Sequence, residues 1–316
     1  MNVAEILAAL PAKRALILGD ICLDRWCTYD PAEAEPSRET GIPRIAVVET
    51  EITPGAGGTV ANNAVALGFG RVAVLGAVGT DGFGLELKHA LERGGIEQQL
   101  VQSAEISTFT YTKLINRQTG AEDRPRVDFI RTQDMPEAVE SAVLAKLDAL
   151  VPEFDALFVS DQAETAAGGI VTGRIREHLA TLSLKFPKLI IWVDSRTRPR
   201  HFRNVMVKVN REEAEAVGSD LRGWRAEANL PLLCVTQGGN GALVITAGGE
   251  ELIRATPIPN PVDICGAGDS FSAGAVAALV AGATPAEAAA FGNRVAAVTV
   301  MKRGTGTASP AELADS

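Results

Sequence analysis

Short, wholly apolar runs alternate along this chain with segments whose apolar positions recur at helical spacing. "RALILGD" (14–20), "ALFVSD" (156–161) and "LIIWVDS" (189–195) have no polar face, as expected of strands covered on both sides. Further strands are predicted at 205–210, 232–238, 241–249 and 251–258, and "RVAVLGAVGTDGFG" (71–84) reads as a strand and a glycine-rich turn. The spacing predicts helices over 4–10, 85–95, 137–150, 168–184, 211–217, 267–282 and 285–301. "GAGGTVANNAVALGFG" (55–70) reads as a glycine turn followed by a small-residue helix. Such alternation gives an α/β fold, with a mostly parallel central sheet and helices on both faces.

Two polar, strand-prone stretches break the rhythm, at 28–54 and 104–132. Pro31, Pro36, Pro43 and Pro54 interrupt the first. Both are too strand-like for loops, so they are expected to pair as a small β-lid at one edge of the sheet. Ligands of such sheets bind beyond the carboxyl ends of the strands, where the Gly-Asp, Val-Asp and Val-Asn endings gather.

Composition narrows the function classes. With 316 residues, one large domain covering 1–316 is expected. The net charge of -9 argues against a nucleic-acid binder or a polybasic membrane protein, though not against anionic small molecules. "AGAVAALVAGA" (273–283) is too short to span a bilayer. The first residues show no basic leader before an apolar core, so a cytoplasmic protein is expected. Cys22, Cys27, Cys234 and Cys265 lack CxxC spacing, which fits free thiols better than a disulfide framework.

Several chemistries lack their residues. There is no Gly-Lys dipeptide, hence no P-loop, and no GxGxxG follows the first strand. His89, His178 and His201 are the only histidines, without HExxH or GxSxG, and read as surface residues. Glycines and carboxylates remain.

They concentrate in "DICGAGDSFSAG" (263–274). Gly266, Ala267 and Gly268 at a helix start would leave backbone amides free to cradle a phosphoryl group. Asp269 beside them is either a general base for an attacking hydroxyl or simply the helix cap. This string resembles the C-terminal signature of the ribokinase-like (PfkB) carbohydrate and purine kinases. "GGTVANNAVALG" (57–68), "GAVGTDGFG" (76–84), "NREE" (210–213) and "TQGGNG" (236–241) are similar to four further motifs of that family, in its order.

The resemblance implies a three-layer ribokinase-like sandwich and in-line transfer of the ATP γ-phosphoryl group to an alcohol. It makes Asp269 the base and Gly266, Ala267, Gly268 and the Asp269 amide the anion hole. Asn210 and Glu213 would organise Mg²⁺, and Asp263 would hold a monovalent cation, K⁺ or Na⁺. Thr236, Gly238, Gly241 and Asn293 would form the nucleotide pocket. Asp24, Gly57, Gly58 and Asn62 would bind sugar hydroxyls. Lids of this family often pair between subunits, which implies a homodimer.

"GDICLDRW", "RVDFI", "LIIWVDSRTRPRHF" and "MKRGTGTASPAEL" are most similar to the heptose 7-phosphate kinases of that family. A phosphorylated acceptor would need a basic anchor, for which Arg126 in the second lid stretch and Arg196 in "RTRPRHFR" are candidates. A solvated basic face is the alternative. After the strand at 156–161, however, the chain reads "SDQAETAAGG", where the heptose kinases carry an aromatic-glycine-lysine-glycine segment. A nucleoside or other small-alcohol kinase, or a non-catalytic sugar or nucleotide sensor, remains open on the sequence.

Overall fold

The computed structural model describes residues 1–165 and 167–315. Nine strands form the central sheet: β1 (Arg14–Gly19), β4 (Arg71–Leu75), β6 (Glu97–Gln98), β10 (Ala156–Asp161), β11 (Ile190–Ser195), β12 (Met206–Asn210), β13 (Leu233–Thr236), β14 (Ala242–Thr246) and β15 (Gly249–Ile253). Their order is β15-β14-β13-β12-β11-β10-β1-β4-β6. All neighbours are parallel except β13–β14 and β14–β15.

Strand pleating divides the core in two. Ala15 and Ile17 of β1 and Phe158 of β10 face one helical layer, while Leu16, Leu18, Leu157 and Val159 face the other. The first layer draws on α1 (Val3–Ala9), α2 (Gly57–Leu67), α3 (Gly82–Arg93), α8 (Ala267–Ala281) and α9 (Pro285–Thr299). The second draws on α4 (Glu137–Leu150), α5 (Gly173–Lys185), α6 (Arg211–Val217) and α7 (Leu221–Glu227). A last helix, α10 (Pro310–Asp315), packs against α1 and α9. Among the described residues no helix is long and apolar enough to cross a membrane.

A second sheet stands apart, with four strands in the order β3-β2-β8-β9: β2 (Ile21–Tyr29), β3 (Val47–Ala56), β8 (Thr110–Asn116) and β9 (Val127–Phe129). β5 (Ala77–Gly79) and β7 (Val101–Ser103) form a short separate parallel pair. The chain leaves the central sheet earlier than the polar pattern at 28–54 indicates. β2 starts one residue after β1, and its first residues, 21–23, are buried.

Other differences have local causes. The helix expected from 168 begins at Gly173, because Thr172 caps it by accepting the Ile175 amide and the preceding segment is bonded to Asp20. The helix expected from 85 begins at Gly82, capped by Asp81, which accepts the Gly84 amide at 2.8 Å. The sequence reading missed α7, α10 and the two- and three-residue strands β6 and β7.

Candidate active site

The site is built around the start of α8. Gly266 is its N-cap in the left-handed region (φ +76°), where a side chain would be strained and would meet the methyls of Thr59 and Thr305 at 3.3 Å. The loop before it is tied down by Asp263, whose two carboxylate oxygens accept the amides of Cys265 (2.9 Å) and Gly304 (3.0 Å). Asp269 falls in the first helical turn. The Ala267 amide donates to the Ile264 carbonyl at 3.2 Å, so it does not join the expected anion hole. Among the described residues, the amides of Gly266, Gly268 and Asp269 have no protein partner, at the positive end of the helix dipole.

These amides open into a cleft of about 620 Å³, whose walls include Asp194, Lys208, Asn210, Glu213 and Asp269. Lys208 and Asp194 were not singled out as site residues from sequence. They meet because β11 and β12 run parallel with Asp194 opposite Lys208, which brings Nζ to 2.7 Å from the carboxylate. Burial works against the lysine's charge, yet Asp194, Glu213 and Asp269 outweigh it and raise its pKa. Its ammonium therefore stays charged, 3.0 Å from where a Cβ on Gly268 would stand. The available signal was a lone lysine inside the apolar run "VMVKVN".

Burial first, then the charges of Asp194 and Asp24, raise the Asp269 carboxyl to about 7, against the pull of Lys208 and Arg196. A carboxyl held there exchanges its proton near neutral pH, as a general base must. Asn210 caps α6 by a reciprocal pair: it accepts the Glu213 amide at 2.9 Å, and Glu213 accepts the Asn210 amide at 2.7 Å. One Glu213 oxygen is thus tied while its carboxyl still lines the cleft, its pKa raised by burial and Asp194.

The turn between β13 and β14 carries Thr236, Gly238 and Gly241. The Thr236 hydroxyl donates to the Val209 carbonyl at 3.4 Å, and Gly238 has φ +57°. Gly241 (φ +102°) passes so close to β15 that a Cβ would lie 2.0 Å from the Ile253 carbonyl oxygen. The Asn293 side chain donates to that same carbonyl at 3.1 Å, so α9 and this turn converge on one point.

On the four-stranded sheet, the carboxyl of Asp24 rests over Gly55, where a Cβ would be 2.4 Å from it. Burial raises its pKa against the pull of Lys113, and it in turn raises that of Asp269. Arg126 is held by Asp128 through two bonds, at 2.9 and 2.7 Å, and lies over the Tyr111 ring. Arg196 is paired with Glu164 on the wall of the cleft.

Three further residues expected to bind sugar hydroxyls, Gly57, Gly58 and Asn62, lie on α2. Asn62 lies on a face of α2 turned to the end of α3, with its amide oxygen 3.3 Å from a Cβ position on Gly94. Gly57 donates its amide to the Asp20 carbonyl at 2.9 Å and is wedged against Ile21 and Ile17, so it serves packing. Gly58 packs against Pro54. Thr59 lies nearer the site, its methyl against Gly266. Among the described residues no group of three His, Cys, Asp or Glu could hold a metal ion unaided.

A sequence profile described as pfkB family carbohydrate kinase matches residues 22–312. The Bifunctional protein HldE of Shewanella sp. (strain W3-18-1) is 29% identical over 317 residues, covering 97% of this chain. That of Caulobacter sp. (strain K31) is 29% identical over 325 residues, covering 99%. The chain spans 64% of the length of both relatives. Among solved structures, Phosphofructokinase-2 from Escherichia coli in complex with potassium has TM-score 0.72 at 18% identity, covering 96% of this chain and 97% of that one. Ribokinase from Thermotoga maritima has TM-score 0.70 at 18% identity, covering 96% and 98%.

Proposed function

The chain belongs to the pfkB family of carbohydrate kinases, phosphotransferases acting on a sugar hydroxyl, and from that premise we propose that it carries the γ-phosphoryl group of ATP to a sugar or sugar phosphate with Asp269 as base. The observation that carries this reading is the convergence of a carboxyl poised near pH 7, unpartnered helix-start amides and a buried ammonium on one cleft. Asp269 takes the proton of the acceptor hydroxyl as its oxygen attacks the γ-phosphorus. The bond from that phosphorus to the bridging oxygen breaks, and ADP leaves. The amides of Gly266, Gly268 and Asp269, with Lys208, face the charge that develops on the phosphoryl oxygens.

The turn at Thr236, Gly238 and Gly241, with Asn293, would border the nucleotide. The cleft offers Glu213 and Asn210 but no carboxylate cage among the described residues. That donor set fits Mg²⁺, which keeps its waters and binds mainly through phosphates. When bound, Mg²⁺ would neutralise charge on the phosphates. Each Asp263 oxygen accepts one amide and keeps a further lone pair, which suits a K⁺ or Na⁺ ion beside it.

The four-stranded sheet would act as the lid, bringing Asp24 over the acceptor and excluding water. Its exposed Val47, Val48, Val127 and Phe129 support pairing of two copies through this sheet. The similarity to heptose 7-phosphate kinases makes heptose phosphates one part of the acceptor panel.

A coupled ADP-release assay across sugars, sugar phosphates and nucleosides, with Mg²⁺ and with K⁺ or Na⁺, tests the reading. Asp269→Asn should lower kcat/KM for the identified acceptor by about 10²–10⁴-fold. Full activity in that variant would remove Asp269 from the mechanism.

A further inference from the structure

A smaller space lies at the C-terminal ends of β1 and β10, beside the cleft. Ile21, Ile106, Phe109, Ile130, Met135 and Ile170 make its walls mostly apolar. It offers about 40 Å³, which at ~10–15 Å³ per water is room for about three water-sized groups. The two spaces share a boundary: Glu164 lines the smaller, Arg196 lines the larger, and the two form an ion pair. Ile21 also shares β2 with Asp24, so an acceptor whose hydroxyl lies between Asp24 and Asp269 has this space within reach of its other end.

Of the charged groups in the walls, Asp20 and Glu164 are negative and Arg131 is engaged, while Ser107 adds a neutral hydroxyl. Asp20 accepts the amides of Gln162 (2.8 Å), Ala163 (2.9 Å) and Ile170 (2.8 Å). Among the described residues, Arg131 is the one cation lining the space. Its Nε and one terminal nitrogen donate to the Asp134 carbonyl, and its other terminal nitrogen donates to the Glu105 carbonyl at 3.3 Å. The Thr165 hydroxyl donates to the Arg131 carbonyl at 2.6 Å.

We propose that this space receives the far end of the acceptor and admits only a short, uncharged group there, so that the acceptor is a neutral sugar and not one phosphorylated at that end. The inference rests on the kinase reading and sharpens its substrate class. A terminal phosphoryl group would bring four heavy atoms and up to two negative charges against Glu164, beside an Arg131 guanidinium already bonded to two carbonyls. The sequence is consistent with this: "SDQAETAAGG" after β10 contains no lysine or arginine.

The test is calorimetric titration of the wild-type chain with matched pairs, in Mg²⁺ and a non-hydrolysable ATP analogue. The pairs are ribose and ribose 5-phosphate, fructose and fructose 6-phosphate, and a heptose and its 7-phosphate. The neutral member should bind at least about tenfold more tightly in each pair that binds. Glu164→Gln, at an exposed position, should narrow that gap by strengthening the phosphorylated member more than the neutral one. Tighter binding of the phosphorylated members, or no binding of any neutral member, would overturn the inference. ADP release on the same preparations reads the kinase assignment separately. Binding of neutral sugars without ADP release would remove the assignment and keep the pocket's preference. Turnover confined to phosphorylated sugars would do the reverse.

Discussion

Burial, with Asp194 and Asp24 close by, lifts the Asp269 carboxyl from 3.8 to about 7, and this sets two pH dependences of opposite use. The base must be ionised to accept a proton, so kcat/KM should rise through an apparent pKa near 7 in an ADP-release pH profile. Stability runs the other way. A carboxyl whose pKa is raised on folding stabilises the fold below its unfolded value of 3.8 and loses that contribution as pH rises through about 7. Asp269→Asn should therefore gain thermal stability relative to wild type as pH increases from 4 to 8, read by thermal melts. Asp20, raised to about 6 chiefly by burial, acts in the same direction in both proteins and cancels in the difference. A stability difference that is flat with pH would mean the carboxyl is not perturbed. Asp269 stood out in sequence as a candidate because four ordered motifs precede its own. Lys208 did not, because its partnership with Asp194 depends on the register of two strands that no local pattern encodes. Asn62 matched its motif by spacing, but its nearness to Gly94 was not readable from that match.

At the scale of elements, the position of Asp269 is set by how α8 lies on α9. A Cβ on Gly292 would meet the Phe271 carbonyl oxygen at 2.8 Å, and one on Gly274 would meet the Val295 side chain at 2.7 Å. The helices touch at these points with no room to spare, and Phe271 is only two residues from Asp269. Gly292→Val should destabilise the fold by about 1–3 kcal/mol through overpacking. It should also lower kcat more than KM rises, because α8 must shift. Melting curves with steady-state kinetics would check both, and unchanged kcat would show that α8 does not carry the geometry. The parallel-sheet elements were readable from their unbroken apolar runs. The loop residues 162–165 and 167–170 were not, and part of them was taken for helix. What holds that loop is the side chain of Asp20, some 140–150 residues earlier.

For the whole molecule, the two sheets divide the proposed labour: Asp269 sits on the larger body and Asp24 on the smaller. If two copies pair through the smaller sheet, size-exclusion chromatography with light scattering should give twice the mass of 33.1 kDa. Val48→Glu with Val127→Glu should then shift the species toward one copy. A monomer at working concentrations in the wild-type chain would exclude that pairing. The two bodies are joined at their base with almost no slack. Only Asp20 separates β1 from β2, and β3 passes into α2 directly at Ala56 and Gly57. Ala56 is held at φ +51°, a costly conformation for a residue with a Cβ, and the Gly57 amide is bonded to the Asp20 carbonyl across the two crossings. The two other crossings, 104–109 between β7 and β8 and 130–136 between β9 and α4, are longer. The smaller sheet is thus anchored most closely at the end from which β2 delivers Asp24, four residues beyond Asp20.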